Sequence, residues 1–320
     1  MDISIVIPLL NEDESIKELY DWIAKVMQSN RFDYEIIYVD DGSTDNSYNI
    51  LRELALKHPE VKLIKFRTNH GKSQALNAAF KETKGDVVIT MDADLQDSPD
   101  EIPALYKMIK EDGLHLVSGW KKKRYDPITK TMPTKLFNWA ARKTSGLKLH
   151  DFNCGLKAYD SNVVKNINVY GEMHRYIPIL AKSAGFSKID EKVVMHQARK
   201  YGHTKFGVER FINGFLDLIS IWFVSRFGKR PMHLFGALGV LMFTVGFFAA
   251  AYLGIMKLYR LEQGLPTILV TDNPWFFISL ASMLIGTQLF LAGFLGEIII
   301  QTKNKNPLYH IDETINIDKD

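Results

Sequence analysis

The chain is predicted to be an α/β protein: an open, mostly parallel sheet with helices on both faces, followed by interfacial and transmembrane helices. Three observations carry this. Short Ile- and Val-rich runs alternate with segments of helical spacing from Ile3 to Ser118. Two of those runs end in acidic clusters, Asp40-Asp41 and Asp92-Ala93-Asp94. Two further runs, Leu234–Leu258 and Trp275–Ile300, are apolar and almost without charge.

The elements follow in order. Ile3–Ile7 reads as a strand stopped by Pro8, and Ile16, Leu19, Ile23 and Val26 give a helix over about Glu14–Met27. Tyr34–Val39 is a second strand. Gly42, Ser43 and Thr44 mark the turn into a helix at Asn46–Lys57. Val61–Phe66 is a third strand, Ser73–Lys81 a helix and Val87–Met91 a fourth strand. A helix near Asp100–Lys110 and a strand at Leu116–Ser118 complete the alternation. Such alternation implies right-handed βαβ units and a parallel sheet. Ligands of these sheets bind beyond the carboxyl ends of the strands, so both acidic clusters should face one crevice.

Composition narrows the class. At 320 residues there is room for one large or two ordinary domains, and no internal repeat or low-complexity segment is present. A net charge of +3 argues against a dedicated nucleic-acid binder, so no nucleic-acid partner is expected. The single cysteine, Cys154, excludes an internal disulfide and fits a reducing compartment. The N-terminus lacks the basic region and apolar length of a signal peptide and reads as a first strand of a cytosolic domain.

The chemistry centres on Asp92 and Asp94. In an extended segment residues i and i+2 share a face, and two adjacent carboxylates repel unless a cation or proton intervenes. A hard divalent ion, Mg²⁺ or Mn²⁺, fits such oxygens and completes its shell with phosphate. Two other phosphate motifs are excluded. Gly71-Lys72-Ser73 resembles the end of a P-loop, but the first glycine would fall at Phe66. No Gly-x-Gly-x-x-Gly follows the first strand. The helix start at Lys72 can still favour a diphosphate. His174, His196 and His203 match no standard zinc spacing.

Four motifs together now resemble a known family. Ile5-Val6-Ile7-Pro8 with Asn11-Glu12, the Asp40–Asp45 run, Asn69-His70-Gly71-Lys72 and Asp92–Asp97 look like the family 2 glycosyltransferases. Within them the chain is similar to polyprenyl-phosphate sugar transferases of the dolichol-phosphate mannose synthase type. The resemblance covers nearly the whole chain and implies a GT-A fold and a UDP- or GDP-linked sugar donor. It places Pro8, Asn11 and Glu12 against the nucleotide and Asp40 near its base or ribose, with Asp41, Lys72 and Asp92 also on the donor. It makes Asp92, Asp94 and Gln96 the metal ligands. His150–Lys157 matches a further family stretch that puts Asp151 near the reacting centre, and His174-Arg175-Tyr176-Ile177-Pro178 suggests an acceptor role for Arg175. Asp94, Asp151 and Arg124 are the catalytic candidates.

Basic residues would serve an anionic acceptor. The Trp120–Arg124 run follows a strand end, but Gly119-Trp120 stands where the family often has Ser-Arg. Lys123, Arg124 and Arg142 therefore remain alternatives, with Arg199 and Lys205 in a later basic loop. Pro133–Gly146 reads as an amphipathic helix near the membrane surface.

Each long apolar run spans about 25 residues, on the order of 37 Å as a helix, against a hydrocarbon core of about 30 Å. Arg226, Lys229 and Arg230 precede the first and Lys303 and Lys305 follow the second, which places both outer flanks on the cytoplasmic side. The expected organisation is a catalytic domain at 1–207, an interfacial amphipathic helix at 208–230 containing Phe211–Phe227, a two-helix transmembrane domain at 231–302 and a polar tail at 303–320. Gly236, Gly239, Gly246 and Gly286 would permit close helix packing, and a homo-oligomer is an open partner alongside the bilayer. The expected reaction is inverting, metal-dependent transfer of a sugar to a polyprenyl (undecaprenyl- or dolichyl-type) phosphate at the inner membrane. The competing readings are transfer to a lipid or polysaccharide hydroxyl, and a non-catalytic membrane scaffold. Processive synthases usually add a Gln-x-x-Arg-Trp motif and more membrane helices, and neither is found.

Overall fold

The computed structural model describes residues 1–122, 138–139, 141–143, 145–171, 173–197, 200 and 231–303, the last four as backbone. The interfacial helix expected at 208–230, most of the helix expected at Pro133–Gly146, and the tail lie outside these residues, as do Lys123, Arg124, Arg199, His203 and Lys205. The chain divides into two compact units, Met1–Ser225 and Arg226–Asp320.

The first unit is built on seven strands: β1 (Ile3–Leu9), β2 (Tyr34–Asp40), β3 (Val61–Lys65), β4 (Val87–Thr90), β5 (Leu116–Trp120), β6 (Lys157–Asp160) and β7 (Ile189–Val193). Their order is β3-β2-β1-β4-β6-β5-β7. The first four are mutually parallel, as alternation with helices requires. Pro8 does not stop β1. Pairing with β4 ends at Val6↔Thr90, so the missing amide of Pro8 deprives β4 of nothing, and β2 alone flanks the strand there.

The sheet departs from the parallel expectation at β6, which runs antiparallel to both β4 and β5 and lies between them. β5 therefore keeps the direction of β4, and β7 joins it in parallel. The start of β6 lies at the same edge as the ends of β1, β2, β4 and β5. Lys157 sits opposite Thr90 on one side and Ser118 on the other.

Period-2 alternation fills both faces. Ile3, Ile5, Ile7, Ile36, Tyr38, Val87 and Ile89 pack under α1 (Ile16–Asn30), α2 (Ser47–Lys57) and α4 (Ile102–Lys110). Val6, Ile37, Val39, Val88 and Tyr159 pack under α3 (Lys72–Glu82), α5 (Ser161–Asn166) and α6 (Ile177–Ser183). α1 runs on to Asn30 because Arg31 adopts a left-handed φ of 57° and closes the helix onto the Gln28 and Met27 carbonyls. The turn Pro99–Glu101 precedes α4, with Ser98 Oγ accepting the Asp100 amide.

In the second unit, α7 (Met232–Glu262) and α8 (Pro274–Lys303) are long and apolar enough to cross a membrane, the most apolar 18-residue stretch of each having a mean hydropathy of 2.1 and 1.8. They meet at glycines. A Cβ on Gly239 would lie 2.6 Å from the Gly286 carbonyl oxygen, and one on Gly246 would lie 2.6 Å from that of Ser279. Ser282 Oγ donates to the Met242 carbonyl at 2.9 Å across the same seam. Outward side chains such as Leu241 and Phe248 are exposed, as lipid-facing positions would be.

At the sheet edge away from the acidic clusters, Glu35 is 1% exposed. It accepts from Ser4 Oγ at 2.6 Å, from the Lys84 amide at 2.7 Å, and pairs with Lys62. Burial pushes its pKa up, but Lys62, Ser4 and the amide outweigh burial and hold it below the usual carboxylate value. A depressed folded pKa stabilises above the unfolded value of about 4.3 and loses that contribution as pH falls through the folded one. Glu35→Gln should therefore cost about 2 kcal/mol at pH 7, discounted for the half-exposed Lys62. It should also flatten the acid limb of stability below pH about 4, read by urea titration across pH.

Candidate active site

Strand order reverses between β1 and β4, and the crevice at that switch carries the site. Pro8 and Leu9 at the end of β1, Leu10 and Glu12 after it, Asp41 after β2, Asn69, Gly71 and Lys72 before and at the start of α3, and Asp92, Ala93 and Asp94 after β4 line an open cleft of about 330 Å³. Behind it, a void of about 20 Å³, room for about one water, shares Pro8, Lys72 and Asp92 and adds Asn153, Lys157, His174 and Arg175.

Loop geometry on the β2 side is set by side chain to backbone bonds. Asn11 takes φ 57°, which asparagine tolerates, and its Oδ1 accepts the Thr44 amide at 2.8 Å. The Asn11 and Glu12 amides donate to Ser43 Oγ and Ser47 Oγ, each at 3.0 Å. Asp40 is fully buried and accepts the Ser43 amide at 2.9 Å, so its carboxylate shapes the turn and is absent from the cleft lining. Gly42 is required there: φ is 78° and a Cβ would lie 2.6 Å from the Thr68 carbonyl carbon. Asp41 accepts the His70 and Gly71 amides at 2.7 and 2.8 Å, fixing the loop that presents Lys72.

Lys72, the first residue of α3, pairs its ammonium with Asp92 Oδ1. Burial pushes the Asp92 pKa up, but Lys72 and Lys121 outweigh it and hold the carboxyl well below the usual range. Gly155 packs on the other side of Asp92, where a Cβ would lie 2.6 Å from its Cγ. Asp94 Oδ1 accepts the Gln96 amide at 3.2 Å across Leu95, whose φ is 59°. A left-handed leucine costs about 1–2 kcal/mol. Burial of Leu95 and two tethers hold the turn: the Gln197 amide on the Gln96 carbonyl at 3.0 Å, and Lys121 on Asp97 at 2.7 Å.

The remaining predicted residues are placed as follows. Gln96 reaches with its side chain toward the Gln197 carbonyl at 3.5 Å. Asp151 is 2% exposed and accepts the Asn153 amide at 3.0 Å, which sets the loop delivering Asn153, Cys154 and Gly155 to the void. Arg175 lines that void; Arg142 lines neither cavity. His174 bonds Ser73 Oγ through its amide at 3.0 Å and through Nδ1 at 3.1 Å. Its pKa lies well below the usual histidine value because of burial, Lys72 and Arg175.

Lys121, Asn153 and Lys157 are the residues that sequence reasoning did not assign. Lys121 is committed to Asp97, which together with Asp92 raises its pKa despite burial. The Cys154 thiol is pushed up to about 12 by burial, so it is inert as a nucleophile.

The residues fit a divalent cation. Asp92 and Asp94 present hard oxygens to one cleft, the absent Cβ of Gly155 leaves room at Asp92, and Lys72 already stands there as a tethered positive charge. Among the described residues no cluster of three or more His, Cys, Asp and Glu side chains could hold a metal ion, so substrate oxygens would complete the shell. Gly155→Ala should displace Asp92, weaken Mn²⁺ binding measured by electron paramagnetic resonance, and lower turnover by about 100-fold with the fold intact by circular dichroism.

Comparison with known proteins places the chain in a family. The model of "Glycosyl transferase family 2" matches residues 4–167. A dodecaprenyl-phosphate galacturonate synthase of Rhizobium johnstonii is 32% identical over 94% of this chain and 88% of its own length. An undecaprenyl-phosphate 4-deoxy-4-formamido-L-arabinose transferase of Proteus mirabilis is 32% identical over 99% of this chain and 95% of its own length. A glucosyl-3-phosphoglycerate synthase of Mycobacterium tuberculosis, solved with Mn²⁺, UDP-glucose and glycerol 3-phosphate, superposes with a TM-score of 0.53. It is 20% identical over 70% of this chain and 79% of that one, a likeness of fold. The α/β unit has the GT-A fold, and the chain belongs to glycosyl transferase family 2.

Proposed function

We propose that the protein transfers a sugar from a nucleotide-sugar donor to the phosphate of a membrane polyprenol, with inversion, giving a polyprenyl-phosphate sugar. The observation that carries this is the reach of the likeness. Both relatives named for polyprenyl-phosphate sugars match across the catalytic sheet and the two apolar helices alike. A scaffold would have no need of the acidic strand ends, and here they line one cleft.

The donor's nucleoside diphosphate lies in the open cleft between β1 and β4, against Pro8, Glu12 and the start of α3. Lys72 and the helix N-terminus face the diphosphate. Asp92 and Asp94 hold Mg²⁺ or Mn²⁺, which supplies Lewis-acid neutralisation of the departing diphosphate. The acceptor phosphate has a second pKa of roughly 6 and is already a nucleophile at neutral pH. The protein therefore needs to position it behind the anomeric carbon rather than deprotonate it. Asp151 orients the loop that closes on Asp92. Arg175 and cations of the basic segments, Lys123, Arg124, Arg142, Arg199 and Lys205, are the acceptor candidates. The two helices hold the enzyme in the cytoplasmic membrane with the catalytic unit on the cytoplasmic side, an orientation supported by the basic residues that flank the apolar runs in sequence, Arg226, Lys229, Arg230 and Lys303.

Membranes given radiolabelled nucleotide sugars and undecaprenyl phosphate should yield a labelled lipid that mild acid hydrolyses; label in polymer alone would defeat the proposal. Asp94→Ala should lower this transfer by about 1000-fold. Chelator should do the same to the unaltered protein.

A further inference from the structure

Lys72 stands where the proposed chemistry puts something else. Its ammonium donates to Asp92 Oδ1, and Asp92 is a carboxylate assigned to the divalent ion. The other oxygen, Oδ2, lies against Gly155, at the spot a Cβ would fill. An ion reaching Asp92 from the cleft meets an oxygen already taken.

Charge leads to the same point. Of the charges acting on Asp92, that of Lys72 is the largest, ahead of Lys121 and Lys157. A dication added with Lys72 in place would set two positive centres on one carboxylate, which repel. A nucleoside diphosphate entering with the ion brings negative oxygens that can receive the displaced ammonium.

Of these three lysines only Lys72 lines the open cleft. The Lys121 side chain is 11% exposed and tied to Asp97, and Lys157 is buried in β6 with its ammonium on the Cys154 carbonyl. The Lys72 side chain is 33% exposed, and its flexible four-carbon stem lets the ammonium travel. Its backbone is pinned, because Asp41 accepts the His70 and Gly71 amides and Lys72 opens α3. A change of side-chain rotamer is enough to move the charge.

We propose that Lys72 is a stand-in for the divalent ion: in the donor-free enzyme it occupies the ion's seat on Asp92, and it leaves for the donor's diphosphate when ion and nucleotide arrive together. Asp92 exchanges one cation for another, and the ammonium exchanges one anion for another. Binding of ion and nucleotide is thereby made mutually dependent. The donor-free enzyme holds the ion weakly, and the full site assembles only around a leaving group.

The exchange rests on the transferase reading for its nucleotide, and the assay reads binding without turnover. Mn²⁺ binding to the full-length protein in detergent is measured by electron paramagnetic resonance, alone and with UDP or GDP, whose own binding is followed by equilibrium dialysis. The unaltered protein should bind Mn²⁺ at least about 10-fold more tightly with one of the nucleotides. Lys72→Met should tighten donor-free Mn²⁺ binding by roughly 10-fold, the effect of removing a like charge beside a partly buried ion. Lys121 and Lys157 still hold Asp92 ionised in that variant. Lys72→Arg keeps the charge and should keep the weak donor-free binding. A purely structural role for Lys72 would instead weaken Mn²⁺ binding on its loss. Unchanged or weaker donor-free binding by folded Lys72→Met therefore overturns the inference. If Lys72→Met does not fold by circular dichroism, Lys72→Gln takes its place. If neither folds, the unaltered protein decides, and donor-free Mn²⁺ binding as tight as that with nucleotide overturns the inference. If a nucleotide binds without tightening Mn²⁺, the inference falls and the transferase reading stands. If neither nucleotide binds, the transferase reading falls as well.

Discussion

A carboxylate in a field of lysines governs this site. Asp92 stands where the sheet reverses direction, with Lys72 in contact and Lys121 and Lys157 close enough to act on its charge. Without them, burial would drive Asp92 toward its protonated form, and a neutral acid is a poor ligand for a hard cation. The lysines keep it ionised before any metal or donor arrives. Each of them is itself held by structure: Lys72 by the Asp41 clamp on its loop, Lys121 by Asp97, Lys157 by β6.

That arrangement explains the strain beside it. The left-handed Leu95 turns the chain immediately after Asp94, so that Asp94 faces the cleft while Asp97 turns inward to Lys121. Residues after β7 strap the turn through Gln197 on Gln96 and a bridge between His196 and Asp97. Local strain of this kind survives only where neighbouring contacts over-determine it.

Much of this was legible in the sequence. β1 to β4 and their helices announce themselves because their apolar residues recur at clear periods, as Ile3-Ile5-Ile7 and Ile16-Leu19-Ile23 do. Acidic strand ends follow from the same reading. β6 and β7 escaped it: one has four residues beginning with Lys157, and the other carries Asp190, Glu191 and Lys192. Neither offers an apolar period. The pairings of Lys72 with Asp92 and Lys121 with Asp97 join residues far apart in the chain, and no local pattern encodes them. Asp40 and Asp151 show the opposite difficulty. Their motifs mark the site, yet each carboxylate accepts a neighbouring amide and acts through a loop.

The antiparallel β6 has one more effect. Because it returns beside β5, the chain leaves the sheet after Trp120 and re-enters it at Lys157, with Ser118 and Lys157 paired directly. Everything between is a closed excursion with both ends pinned. Closure entropy grows only logarithmically with length, about 0.6 kcal/mol per doubling. Insertions or deletions between Lys122 and Asn138 would therefore cost the sheet little, provided that Lys121 at one end and Asp151–Gly155 at the other, which brace Asp92, are kept. The fold can change what it presents around the site while keeping the charges at its centre.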